Sequence, residues 1–297
     1  MKKQIAMMTA MMVMAGVLGG CSGTKQAETA APQTVAETTA APETTATPET
    51  TAAPESAAQE KAPEAAEEIL VAAAASLKNA YEEELIPMFE AENPGVTVMG
   101  TYDSSGKLQT QIEEGLAADV FMSAATKQMK ALDEGGYIAS DTIVNLLENK
   151  IVLIVPAGSD NGIAAFEDIV KAESIALGDP ASVPAGQYAE EALTNLGLWD
   201  QIQDKLSLGT NVTEVLNQVA AASAGAGIVY ATDAASMADQ VTVIAEAPEG
   251  SLAKKVIYPV AVLKNTTHAD AAKAFVDFLK TDEAMAVFES YGFAKGN

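Results

Sequence analysis

The sequence predicts an α/β fold of two lobes, on the basis of three observations. Short apolar runs alternate with helical patterns, which is typical of α/β proteins with largely parallel sheets. The folded part begins near Ile69 and extends to residue 297, which is long enough for two lobes with separate cores. The chain has one cysteine and one histidine, so neither an internal disulfide nor a Cys/His metal site is expected. Apolar packing must therefore stabilise the fold.

Each element follows from a local pattern. The predicted strands are Ile69–Ala72, Val96–Val98, Asp119–Met122, Ile151–Val155, Ile175–Leu177, Ala226–Tyr230, Val241–Ile244 and Val256–Leu263. The predicted helices are Leu77–Glu92, Lys107–Glu114, Tyr188–Leu196, Val212–Ser223 and Ala269–Leu279. Pro87 should kink or interrupt the first helix, because proline has no N–H to donate.

Residues 1–20 are typical of a secretory signal that ends at a lipidation site. Lys2 and Lys3 precede the apolar run Ile5–Leu18, which is too short to span a bilayer comfortably. Small residues then lead to Cys21, in a pattern that resembles the lipobox of bacterial lipoproteins. In those proteins the cysteine is diacylated and becomes the mature N-terminus. We therefore expect an extracytoplasmic protein that a lipid on Cys21 anchors to the cell membrane.

Residues 21–68 are predicted to form a disordered tether after the acylated cysteine. The segment consists mainly of Ala, Thr, Pro and Glu and has no aromatic residue, so it buries too little apolar surface to fold. Its prolines and like charges favour extended conformations. The formal net charge of the whole chain is -24, which excludes nucleic acid as an expected partner.

Four strand-to-helix junctions carry small or polar residues beside unpaired amide groups. They are Ser76, Ser104–Gly106, Val183–Gly186 and Thr210–Val212. Each is consistent with ordinary helix capping. If the four junctions meet in one cleft, their N–H groups and hydroxyls instead form a neutral pocket for an anion.

Several motifs occur in the same order and spacing as in one known family. They are Ala74–Leu77, Ser104-Ser105, Gln111–Glu113 with Ala118–Phe121, Gly178–Pro180, Val183–Gly186, Gly227–Tyr230, Tyr258–Ala261 and Tyr291–Phe293. Together they resemble the molybdate-binding proteins of bacterial molybdate ABC transporters, over essentially all of 69–296. The resemblance implies a two-lobed periplasmic-binding-protein fold of the class II type, with mixed, mostly parallel sheets and a ligand in the interlobe cleft.

The resemblance also implies the site. The two serine ligands fall on Ser76 and Ser105, the backbone donors on Ala185 and Val212, and the tyrosine on Tyr230. These groups would contact the oxygen atoms of molybdate or tungstate and would not ligate the metal atom directly. Asp103 stands where the family usually has a small neutral residue, so its carboxylate must point away from the anion.

The resemblance also implies how the chain divides into lobes and which partners it has. Lobe I would comprise 69–150 and 255–297, and lobe II would comprise 151–254. The implied function is capture of molybdate or tungstate by a monomer, without a cofactor, and delivery to an ABC permease in the membrane.

Three alternatives stay open at this stage. One is a binding protein for another oxyanion, such as sulfate. Another is a serine-dependent hydrolase that uses His268, although the chain has no Gly-x-Ser-x-Gly motif. The third is a purely structural surface lipoprotein.

Overall fold

A computed structural model describes residues 67–296, all of them within one compact unit. The predicted signal peptide, Cys21 and residues 21–66 of the predicted tether lie outside the described residues. One boundary of the tether was wrong, because Glu67 and Glu68 belong to the first strand and pair with Val96 and Thr97. Their side chains are exposed, so backbone pairing extends the strand without any apolar burial.

The described strands form two sheets. The strands are β1 (Glu67–Ala74), β2 (Val96–Asp103), β3 (Val120–Met122), β4 (Val144–Asn149), β5 (Ile151–Pro156), β6 (Ile175–Gly178), β7 (Leu206–Gly209), β8 (Ala226–Tyr230), β9 (Val241–Glu246), β10 (Val256–Val262) and β11 (Ala294–Lys295). Sheet I has the order β11-β4-β10-β3-β1-β2, and sheet II has the order β7-β6-β8-β5-β9.

Both sheets are mixed, as expected, but the parallel share is smaller than the expected majority. Four of the nine strand pairings in the described part are parallel. The antiparallel pairings involve β5 and β10, the strands on which the chain passes from one sheet to the other, and the terminal strand β11. A strand that joins a sheet without a βα crossover connection can pair antiparallel with its neighbours.

The helices flank the sheets. They are α1 (Lys78–Ala80), α2 (Ile86–Glu92), α3 (Ser105–Glu113), α4 (Thr126–Glu134), α5 (Pro184–Asn195), α6 (Val212–Ala220), α7 (Ala231–Ser236), α8 (Ala269–Phe278) and α9 (Asp282–Ser290). Within residues 67–296, none of them combines the length and apolar character needed to cross a bilayer.

The first helical region continues past Pro87, but its α-helical pattern is interrupted just before it, as expected. A π-helical turn, Tyr81–Leu85, joins α1 to α2, and the Ile86 N–H bonds the carbonyl of Tyr81. Pro87 follows this turn, and its missing N–H removes one donor from a continuous helical region, which the wider π-helical turn accommodates.

The two sheets belong to one continuous packed structure. A single apolar cluster contains residues from both, including Val71 and Val120 of sheet I and Val152 and Ile228 of sheet II. The backbone N–H of Gly106 also donates to the carbonyl of Ser182 at 3.0 Å. The part of the chain built on sheet I (the sheet I half) and the part built on sheet II (the sheet II half) therefore meet face to face.

Candidate functional site

Ser76 lies in a one-turn 3-10 helix directly after β1, where it meets a tyrosine from β10. The hydroxyl oxygens of Ser76 and Tyr258 are 3.0 Å apart. The side-chain amide of Asn149 donates to Tyr258 Oη at 3.2 Å, while its own oxygen accepts from the Lys150 N–H. Because Tyr258 Oη accepts from Asn149, its hydrogen is available to Ser76 Oγ. When Tyr258 donates in this way, the hydrogen of Ser76 is left to donate to a ligand.

Ser105, the first residue of α3, is held in the same donor state. It is fully buried, and its Oγ accepts a hydrogen bond from the Ala124 N–H at 3.0 Å. Since the oxygen is already an acceptor, the hydroxyl hydrogen remains free to donate. Ser105 is therefore oriented as a donor by its neighbour, and Ser76 is in the same state when Tyr258 donates to it.

Tyr230 ends β8 and reaches from the sheet II half to the sheet I half. Its hydroxyl donates to the carbonyl of Ala124 at 3.4 Å, a long bond that a better acceptor can displace. Its ring packs edge-on against Tyr258, with centroids 5.5 Å apart. Ala124 thus contacts both Ser105 and Tyr230, so one backbone unit links predicted ligands from the two halves.

Burial keeps both tyrosines of this pair neutral. It raises the pKa of Tyr230 and that of Tyr258 well above the usual range, and the charge of Asp233 raises both further. The hydrogen bonds that Tyr258 shares with Ser76 and Asn149 act in the opposite direction on its pKa. Because burial dominates, each phenol remains a hydrogen-bond donor at any physiological pH.

The remaining predicted ligands are amides at buried helix starts. Ala185 lies in the first turn of α5, and Val212 is the first residue of α6. The first N–H groups of a helix have no acceptor within it. Within residues 67–296, no hydrogen bond from the amides of Ser76, Ser105, Ala185 or Val212 is found. These amides are available to an anion.

Glycines allow the helix starts to approach their neighbours closely. A Cβ on Gly186 would lie 2.0 Å from the carbonyl oxygen of Gly178, where α5 packs on the end of β6. A Cβ on Gly106 would lie 2.3 Å from the carbonyl oxygen of Ser182, across the two halves. Any larger residue at either position would push a helix start away from the site.

The carboxylate of Asp103 is occupied by partners outside the predicted ligand set. It accepts from the Ser104 N–H at 2.7 Å and from Lys107 Nζ at 3.3 Å. Asn211 of the sheet II half donates to it at 3.4 Å. The expectation that this acidic group turns away from the anion agrees with these contacts, and Lys107 neutralises it.

The histidine required by the hydrolase alternative is engaged elsewhere. His268 precedes α8, and its Nδ1 lies 3.3 Å from Asp119 Oδ1. Asp119 also accepts from the Leu70 N–H and the Thr266 hydroxyl. The partners of Ser76 and Ser105 are a phenol and an amide, so neither serine has a histidine base. In the described part of the chain, no group of three His, Cys, Asp or Glu residues forms a metal site.

Three residues of the site were missed by the sequence analysis: Asn149, Tyr258 and Ala124. Tyr258 does lie in a motif shared with the resembled family, Tyr258–Ala261, and that motif was the available signal. Nothing in the sequence indicates that Asn149 or the backbone of Ala124 lies beside a serine.

Comparison with known proteins identifies the family. Residues 69–294 match the family of bacterial extracellular solute-binding proteins. The protein named "Putative ABC transporter substrate-binding lipoprotein YvgL" of Bacillus subtilis is 41% identical, over 76% of this chain and 85% of its own length. The molybdate-binding protein ModA of Haemophilus influenzae is 40% identical, over 77% of this chain and 91% of its own length.

A solved structure shows the same fold. The periplasmic molybdate-binding protein of Azotobacter vinelandii superposes with a TM-score of 0.66, over 76% of this chain and 98% of its own. At 24% identity this likeness supports the two-lobed binding-protein fold alone. The family match and the two relatives carry the assignment, and the chain belongs to the bacterial extracellular solute-binding proteins.

Proposed function

We propose that this protein is the solute-binding component of an ABC importer and captures molybdate between its two halves, with tungstate as the alternative ligand. The observation that carries the proposal is the set of donors at the site: the Ser105 oxygen accepts from the Ala124 N–H and leaves its hydrogen free, and Ser76 has the same free hydrogen when Tyr258 donates to it. The names of the relatives, which include molybdate-binding proteins, support molybdate as the oxyanion.

The proposed contacts consist of donors only. The hydroxyls and amides of Ser76 and Ser105, the amides of Ala185 and Val212, and the hydroxyl of Tyr230 would surround the anion. A fully deprotonated oxyanion offers only acceptors, so donors and acceptors match without a protein acceptor or a metal. Helix starts add positive dipole ends that favour an anion. The same donors would accept tungstate, whereas a smaller sulfate would leave some of them unpaired.

Closure of two lobes around the ligand follows from the placement of the donors. We assign 69–150 and 255–297 to lobe I and 151–254 to lobe II, a division supported by the strands of sheet I and sheet II. Ser76 and Ser105 would then act from lobe I, and Ala185, Val212 and Tyr230 from lobe II. Only the closed form uses all of them, so the ligand would favour closure.

We further propose that the protein works as a monomer, tethered outside the cell membrane through a lipid on Cys21. The signal at 1–20 and the composition of 21–66 support this, as does the word lipoprotein in the name of the Bacillus subtilis relative. The anchor would keep the loaded protein beside its permease. The proposed role is binding and delivery, without catalysis.

Calorimetric titration of the full chain with molybdate, tungstate, sulfate and phosphate tests the proposal. We expect saturable one-to-one binding of molybdate, and a rise in thermal stability that corresponds to about 2.7 kcal/mol at a hundredfold excess over the dissociation constant. Tyr230→Phe should weaken binding. Tyr137→Phe is the matched control, since Tyr137 packs on a separate apolar cluster. Absence of binding to both larger oxyanions would contradict the proposal.

A further inference from the structure

Asp233, a buried carboxyl group beside the site, has no role in the donor set described above. It lies in α7, one turn after Tyr230, and is 7% exposed. Its Oδ2 is buried and has no hydrogen-bond partner. A buried carboxylate oxygen without a partner is costly, and the usual relief is protonation.

A small cavity joins Asp233 to the predicted ligand Ser76. Its volume is about 150 Å³, and it lies between the two halves. The sheet I half contributes Ser76, Lys78 and Tyr291 to its wall, and the sheet II half contributes Thr232, Asp233 and Ser236. Ser76 is the predicted ligand on this wall, and the charge of Asp233 also acts on the predicted ligand Tyr230. An oxyanion held by Ser76 and Tyr230 would therefore place its charge close to Asp233.

We propose that Asp233 takes up one proton from solvent when the oxyanion binds, so that capture of the anion is coupled to pH. This inference rests on the proposed function and deepens it. The carboxylate oxygen gains a hydrogen, its charge is neutralised, and the buried region then holds the charge of the ligand alone. Without the proton, two like charges would share one poorly solvated space.

The charged and titratable groups around Asp233 do not pair with its carboxylate, so protonation is the remaining way to neutralise its charge. Helix α7 packs on α6, β5, β8 and β9. These elements carry the ionisable residues Glu214, Tyr230 and Glu246, and the cavity wall adds Lys78 and Tyr291. Two more ionisable residues lie next to them: Lys150 beside β5 and Tyr258 beside Tyr230.

Each of these groups except Lys78 is either neutral or engaged elsewhere. Lys150 pairs with Glu246 at 2.7 Å, Glu214 accepts from Thr210, and Tyr291 donates to Glu83. Tyr230 and Tyr258 are neutral phenols. Lys78 is exposed to solvent at the edge of the cavity, where its charge is screened.

The pKa of Asp233 places the coupling between proton uptake and anion binding in the physiological pH range. Burial raises the pKa of the Asp233 carboxyl to about 7. A bound anion adds a like charge and raises that pKa further. Affinity should be constant below about pH 7, and should fall roughly tenfold per pH unit between the free and bound pKa values.

The test is calorimetric titration of the full chain with sodium molybdate from about pH 6 to pH 9, in pairs of buffers with different ionisation enthalpies. At about pH 8 the wild type should take up close to one proton per bound anion. Asp233→Asn should bind without proton uptake and with an affinity that does not change across this range. Asp168→Asn is the matched control, because it removes the same formal charge from a partly exposed, ion-paired position and should retain the wild-type pH dependence.

The possible outcomes test the proton coupling and the proposed function separately. Binding by the wild type with pH-independent affinity, or an unchanged pH slope in Asp233→Asn, would overturn the proton coupling and leave the proposed function intact. Affinity that follows the sodium concentration at fixed pH would also overturn it, because a cation would then neutralise Asp233. No binding at any pH would overturn both. If Asp233→Asn does not fold, infrared spectroscopy of the wild type decides: a protonated-carboxyl band must grow on molybdate addition at about pH 8.

Discussion

The hydroxyl oxygens of Ser76 and Tyr258 lie 3.0 Å apart, although 182 positions separate the two residues in the chain. Ser76 follows β1, and Tyr258 lies in β10, which returns to sheet I after the whole of sheet II has been formed. The pair shows that the site depends on how the chain passes between its sheets. A phenol from the returning strand orients a serine from the first one.

Tyr258→Phe should therefore weaken molybdate binding although Tyr258 is not a predicted ligand. Without the phenol, Ser76 loses the hydrogen-bond partner that fixes its own hydroxyl, and we expect the dissociation constant to rise about tenfold, which corresponds to about 1.4 kcal/mol. Asn149 keeps its bond to Thr232, so the free energy of unfolding should fall by only about 1 kcal/mol. Titration calorimetry and urea unfolding measure the two effects. Wild-type affinity in the variant would show that Ser76 needs no such orientation.

Ser105→Ala should reduce both binding and stability. The buried Ala124 N–H would lose its acceptor, at a cost of about 1–3 kcal/mol in the free energy of unfolding. Ser207→Ala is the control, since Ser207 is exposed and bonds only the side chain of Gln218; it should change stability by less than about 0.5 kcal/mol. Chemical denaturation of the ligand-free protein provides the comparison. Equal midpoints for the two variants would disprove the structural role of Ser105.

Gly106→Ala should hinder closure of the two halves. Its Cβ would lie 2.3 Å from the Ser182 carbonyl oxygen, so the halves must separate to relieve the contact. We expect weaker molybdate binding, and small-angle X-ray scattering should show a larger radius of gyration with ligand than for the wild type. Gly95→Ala is the control, because no atom lies within 4 Å of a Cβ there. A compact, tightly binding Gly106→Ala protein would exclude this contact as a limit on closure.

The ligand-free protein should lose stability as the pH rises from about 4 to about 7, in part because of Asp233. In the folded state burial raises the pKa of this carboxyl to about 7 from 3.8, so in that interval the folded state binds more protons than the unfolded state. The free energy of unfolding then falls with increasing pH, by about 1.4 kcal/mol per unit for one full proton.

Asp233→Asn should make that pH slope shallower by as much as one proton. Exposed carboxyls with lowered pKa values, such as Asp277 beside Lys273, act in the opposite direction but only at more acidic pH. Urea midpoints measured at about pH 5, 6 and 7 give the slopes. Identical slopes in the wild type and the variant would place the titration on another group.

The sequence predicted the regular elements that have strong local patterns. The strand Ala226–Tyr230 and the helix start at Val212 were predicted as observed, whereas the helices predicted from Lys107 and Tyr188 begin earlier, at Ser105 and Pro184. The elements not predicted are β4, β7, β11, α4, α7 and α9. A four-residue strand with two exposed side chains has too little periodicity to be recognised before its partner β6 is known.

Local sequence by itself determined which segments become strands and helix starts, because apolar periodicity and capping chemistry act over a few residues. It also indicated, by resemblance, the candidate ligands Ser76, Ser105 and Tyr230. Only the tertiary structure decided how these groups are held: Tyr258 beside Ser76, Ala124 between Ser105 and Tyr230, and Asp233 at the intervening cavity. Those contacts join residues far apart in the chain, and their geometry depends on the packing of two complete sheets.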